Sequence, residues 1–143
     1  MLKSIFIDNY ALIERLEIDL DEGLTIITGE TGAGKSIILN ALNLILGDRV
    51  KDDIIRSNED EGVVEALFDI SAKPLLRQWL GEKGIDADDT LVIKRVVSRT
   101  DKTKIYINGN LATLQMASLI GEELLNIYQT GRGSVRCRAR WER

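Results

Sequence analysis

The chain has 143 residues, 44% of them hydrophobic and 29% charged, a balance ordinary for one globular domain with its own core. Its formal net charge is −4, so no overall basic field marks it for nucleic acid, although a local patch stays open. With no histidine and one cysteine, it cannot form a histidine-based triad, a histidine metal site or an internal disulfide, and Cys137 suits a reducing compartment. Lys3 and Asp8 interrupt the first apolar run and no cleavage-site pattern follows it, so no secretory signal is expected. No apolar run approaches the length of a membrane span. A cytoplasmic location, away from any membrane, is the expectation.

Leu2 to Asn9 predicts a strand through Ile5, Phe6 and Ile7, and Asn9-Tyr10-Ala11 a turn. Leu16, Ile18 and Leu20 alternate with Glu17, Asp19 and Asp21, the pattern of a half-buried strand. Short connections make such strands antiparallel neighbours. Glu22-Gly23 marks the next turn, and Leu24 to Thr28 is an apolar run expected to be a buried strand.

That run enters Gly29-Glu30-Thr31-Gly32-Ala33-Gly34-Lys35-Ser36, which fits the phosphate-binding P-loop pattern G-x-x-x-x-G-K-[ST]. Ile37 to Leu46 then predicts a helix. Strand, glycine loop and helix form the context that the motif requires. Its glycines let backbone N–H groups converge on phosphate oxygens at a helix N-terminus, where the helix dipole favours an anion. Lys35 would reach the β- and γ-phosphates of ATP, and the Ser36 hydroxyl would bind Mg²⁺. All eight residues from Gly29 to Ser36 are candidate nucleotide-binding residues, and Ser36 is the candidate metal ligand.

Gly47 suits the end of that helix. Asp48 to Gly62 carries Arg49, Lys51 and Arg56 against six acidic residues and reads as a surface loop. Val63 to Ile70 predicts a strand with Val64, Ala66, Phe68 and Ile70 on one face. Pro74 suits the first position of a helix carrying Leu75, Leu76, Trp79 and Leu80, which Gly84 closes. Thr90 to Ser98 and Lys104 to Asn108 predict a β-hairpin, followed by a turn at Asn108-Gly109-Asn110. Thr113 caps a helix carrying Leu114, Met116, Ala117, Leu119 and Ile120, which Gly121 is expected to end. Leu124 to Tyr128 suits a strand. Gly131 to Arg143 holds five arginines and one glutamate. It reads either as a basic arm for an anionic surface or, the preferred expectation, as a disordered or non-native end.

An antiparallel pair ahead of a P-loop resembles the ABC-type ATPase heads of the SMC and RecF-like group. Several phrases are similar to the RecN-like family of bacterial DNA repair proteins: Ile7 to Ile13, Gly29 to Ser36, Leu46-Gly47-Asp48-Arg49, Ile93 to Arg99, and Ile105 to Gly109. The resemblance covers residues 1 to about 128 and implies an α/β P-loop NTPase fold. In it, these residues form the N-terminal lobe of the head, with a mixed or antiparallel sheet and a β-hairpin. It also implies ATP and Mg²⁺ as ligands, DNA and a second head as partners, and a nucleoid-associated role in recombinational repair. In that family a C-terminal lobe carrying the signature motif and Walker B carboxylates completes the head, and neither motif is found here. The family's Q-loop phrase should follow Tyr128, where this chain reads Gln129-Thr130-Gly131-Arg132. Residues 129–143 are therefore expected to be a tail foreign to the family pattern, on a truncated fragment.

Phosphoryl transfer to water needs phosphate positioning, Mg²⁺ and a group that orients the water. The sequence supplies the first and, through Ser36, part of the second, so no catalytic residue is assigned and little hydrolysis is expected. Asp69 imitates a Walker B aspartate, but the alternation around Glu65 suits a solvent-facing position. Arg49 and Arg56 are candidate phosphate or second-head contacts, or simply solvated. Tyr10 would stack on a base or pack in the core. Trp79, Tyr106 and Met116 suit core or partly buried positions. Two other readings stay open: a stand-alone P-loop kinase or GTPase, though no guanine-reading Asn-Lys-x-Asp phrase is found, and a non-enzymatic dimerisation or docking head.

Overall fold

The computed structural model describes residues 1–29, 34–50, 54–124, 126–130 and 134–138. In chain order the elements are β1 (Leu2–Tyr10), β2 (Ile13–Asp19), α1 (Lys35–Ile45), β3 (Glu61–Asp69), α2 (Pro74–Glu82), β4 (Thr90–Ser98), β5 (Lys104–Ile107), β6 (Asn110–Ala112), α3 (Leu114–Leu124), β7 (Asn126–Thr130) and β8 (Ser134–Arg138). The first six strands form one sheet in the order β2-β1-β3-β4-β5-β6, and every pairing in it is antiparallel.

Side chains alternate across a sheet, and here the alternation sorts the core to one face. Ile5 and Ile7, then Val64, Ala66 and Phe68, then Leu91, Ile93 and Val97, then Ile105 and Ile107 are all buried. Register aligns Ile18, Ile5, Ala66, Ile93 and Ile107 in one row across five strands. Helix α1 packs over β3 and β4, burying Ala41, Leu42, Leu44 and Ile45. Leu76 and Leu80 of α2, and Ala117, Ile120 and Leu124 of α3, join the same core. The opposite sheet face is mixed: Glu65, Lys94 and Tyr106 stand among Val63, Leu67, Val92 and Val96, all half-buried.

Local chemistry explains the joints. Pro74 stands in the first turn of α2, and the Thr113 hydroxyl accepts the Met116 N–H at 3.2 Å, capping α3. Asn108 and Gly109 both have positive φ, 46° and 80°, as a tight hairpin turn requires. The β1–β2 turn falls at Ala11-Leu12, one step later than expected, with Asn9 and Ala11 in the left-handed region.

Two expectations need revision. Leu24 to Thr28 is not a strand: it pairs with nothing among the described residues, and Leu24 and Ile26 are 87% and 73% exposed. An apolar run reports a tendency to be covered, but a strand also needs a ladder partner. Gly121 does not end α3, which continues to Leu124. It serves close approach instead, since a Cβ there would stand 3.0 Å from the Leu46 Cβ. In the arginine-rich end, Ser134–Arg138 forms a strand paired with Asn126–Thr130, while 131–133 and 139–143 lie outside the described residues.

Candidate functional site

The site is the start of α1. Gly34 precedes the helix with φ 95°, a left-handed conformation that glycine adopts freely. No side chain caps this end, and no acidic residue lies in the first turn. The first N–H groups of a helix have no intrahelical acceptor, so this end presents free donors and positive dipole to an anion. Lys35 is the first helical residue, and its ammonium donates to the Gly29 carbonyl. That bond joins the two ends of the glycine loop. Ser36 follows with its side chain exposed. These residues fit a bound nucleotide phosphate: donors, a mobile cation and a hydroxyl converge at one helix end. Glu30, Thr31, Gly32 and Ala33 lie outside the described residues.

The other end of α1 is gripped firmly. Gly47 takes φ 104°, and a Cβ on it would meet Ser118 of α3 at 2.9 Å. Arg95 comes up from β4 beneath the last turn. It is 3% exposed, and its Nη1 donates to the Leu44 carbonyl and, at 2.5 Å, to the Asp48 carbonyl. Burial lowers the Arg95 pKa from its ordinary value, with Asp48 and Tyr10 opposing. Its Nε has no partner among the described residues. Arg99 holds the far end of the following loop: its Nε donates to the Glu59 carbonyl at 2.8 Å and its Nη2 to the Ile55 carbonyl at 2.9 Å. The β1–β2 turn adds two backbone bonds, Ala11 N–H to the Ile54 carbonyl and Arg56 N–H to the Asn9 carbonyl.

Sequence reasoning missed Arg95 and Arg99. The signal was present: Leu91, Ile93, Arg95 and Val97 share one strand face, so an arginine stands where the alternation demands an apolar residue.

The other candidates resolve individually. Tyr10 is 3% exposed within the core, so it packs rather than stacking on a base. Burial raises its phenol pKa. Arg49 is exposed. Arg56 pairs with Glu14 at 3.1 Å. Asp69, the half-buried last residue of β3, accepts from both the backbone N–H and the hydroxyl of Ser71, at 2.9 and 2.6 Å, which gives it the role of a strand-end cap rather than a metal ligand. Those Ser71 bonds hold its carboxyl below the usual range. Gln129 lies in β7, its backbone opposite Val135.

The family described as AAA domain matches residues 4–133. The chain belongs to that family. Among relatives of this AAA domain is the "DNA repair protein RecN" of Vibrio cholerae, 34% identical over 90% of the chain. The chain spans only 23% of that relative's length. The fold is that of SMC and RecF ATPase heads. A structure solved in work on ATP-driven dimerization and DNA-stimulated activation of SMC ATPases gives a TM-score of 0.66 at 22% identity, covering 83% of this chain and 76% of that one. The recombination mediator protein RecF with ATP gives 0.63 at 22% identity, covering 82% and 30%. In this AAA domain no described helix is long and apolar enough to cross a membrane.

Proposed function

We propose that the chain is the nucleotide-binding lobe of a RecN-like ATPase head that works in recombinational repair of DNA breaks. One observation carries the reading: an uncapped helix start with Gly34 left-handed and Lys35 turned back onto Gly29. The names of its relatives and the ATP named with the RecF neighbour support it. Residues 1–128 form the lobe and 129–143 a tail. Gly29 to Ser36 cradle ATP, Lys35 holds the β- and γ-phosphates, and Ser36 ligates Mg²⁺. A second lobe covers the exposed apolar segment at Leu24, Ile26 and Ile27 and brings the groups needed for hydrolysis. A second head and DNA are the partners of the whole protein, in the cytoplasm beside the nucleoid.

The test is titration with a fluorescent ATP analogue. A charge-assisted hydrogen bond contributes roughly 1.5–3 kcal/mol, so Lys35→Ala weakens binding about tenfold to a hundredfold. Ser36→Ala weakens it mainly when Mg²⁺ is present, because the hydroxyl serves the metal. Wild-type affinity in Lys35→Ala would refute the cradle. Turnover by the chain alone should be close to background, and a full ATPase rate abolished by Lys35→Ala would refute the need for a second lobe.

A further inference from the structure

Helix α1 is buried unevenly. Ala41, Leu42, Leu44 and Ile45 are in the core, whereas Gly34, Lys35, Ile37, Ile38 and Leu39 are half-buried, and Ser36 and Asn40 are exposed. Ile37 and Ile38 pack only partly against the core, so the phosphate-facing end is the more loosely held end of a lever anchored at the other. Eleven residues make the lever about 16 Å long, so a tilt of about 5° at the anchor moves Lys35 by more than about 1 Å. Displacements of that size are enough to spoil a preorganised site.

The anchor includes Arg95, whose bonds to the Leu44 and Asp48 carbonyls bracket the end of the helix. Stability alone is a poor reason for this arginine. A buried charge carries a desolvation cost, and a well-packed apolar residue is often as stable. The Nε even lacks a partner among the described residues. What an apolar residue cannot do is fix two carbonyls relative to β4.

We propose that Arg95 is a positioning residue for the phosphate cradle, setting the pose of Lys35 and Ser36 through the far end of α1. The proposal rests on the nucleotide-binding reading for its consequence but not for its mechanics, so two measurements separate the two. The first uses hydrogen exchange on the full chain without nucleotide, comparing wild type with Arg95→Met. An undocked helix of this length is marginal in water. Loss of the anchor should therefore accelerate exchange about tenfold across the hydrogen-bonded amides of 37–41 as well as 42–47, while β3 keeps wild-type rates. Acceleration confined to 42–47, or shared equally by β3, overturns the proposal.

The second is a double-mutant cycle with the fluorescent ATP analogue, at a temperature where all variants are folded. Distant sites ordinarily act additively. If Arg95 poses Lys35, Lys35→Ala costs about tenfold to a hundredfold in wild type but less than about threefold beside Arg95→Met. Additivity overturns the proposal. Arg95→Lys, with a charge that reaches only one carbonyl at a time, should fall between. It replaces Arg95→Met in both measurements if that variant does not fold. If wild type binds no analogue, the nucleotide-binding reading fails and the exchange experiment alone decides the mechanics.

Discussion

Single residues in this chain matter through the atoms they face. Asp101 shows this in the β4–β5 connection. Its carboxylate accepts from the Lys104 ammonium at 2.8 Å and from the Lys102 N–H at 2.7 Å. The Lys104 bond and then the Lys102 bond hold its pKa below the ordinary value, and Lys104 is raised in return. A carboxyl with a depressed folded pKa contributes stability that is fully present above its unfolded value and disappears as pH falls through the folded one. Asp101→Asn should therefore lower the melting temperature at neutral pH, with the difference closing in acid. Because both groups are exposed, the effect is small. A wild-type–variant difference that widens on acidification would contradict the assignment.

At the scale of elements, the decisive joint is where α1 meets α3. Gly47 has φ 104°, and an added Cβ would lie 2.9 Å from the Ser118 Cβ and 3.0 Å from its Cα. Gly47→Ala therefore meets both left-handed strain and overlap with a helix backbone, together about 2–4 kcal/mol. Urea unfolding measures this, and a neutral substitution would mean that the joint is looser than described. The elements themselves were largely legible in the sequence. Val64, Ala66, Phe68 and Ile70 announced an inward face by alternation, Pro74 a helix start, and Asn108-Gly109 a hairpin turn. What failed were features that depend on partners distant in the chain. Gly121 looks like a helix stop until Leu46 is placed against it, and Leu24 to Thr28 looks like a strand until its neighbours are sought. Of the site, Lys35 and Ser36 were legible because the motif is local. The grip of Arg95 on Leu44 and Asp48 was not, because it crosses 51 and 47 residues of sequence.

The molecule as a whole has a sharp contrast between its two apolar reserves. One is the core beneath α1, where Phe68 and Ile7 are fully buried. The other is the segment before the cradle, where Leu24, Ile26 and Ile27 are 87%, 73% and 48% exposed. Exposed apolar residues clustered on a segment that pairs with no strand among the described residues favour association with another chain. Their substitution should therefore affect association rather than folding. Ile26→Lys is expected to leave the unfolding free energy within about 0.5 kcal/mol of wild type, as exposed positions do. Phe68→Ala, by comparison, should cost about 3–5 kcal/mol. Sedimentation velocity over a concentration series should show wild type self-associating and Ile26→Lys remaining monomeric to higher concentration. A loss of stability in Ile26→Lys comparable with that of Phe68→Ala would mean that this segment is already packed within the lobe, and that no second lobe is needed to cover it.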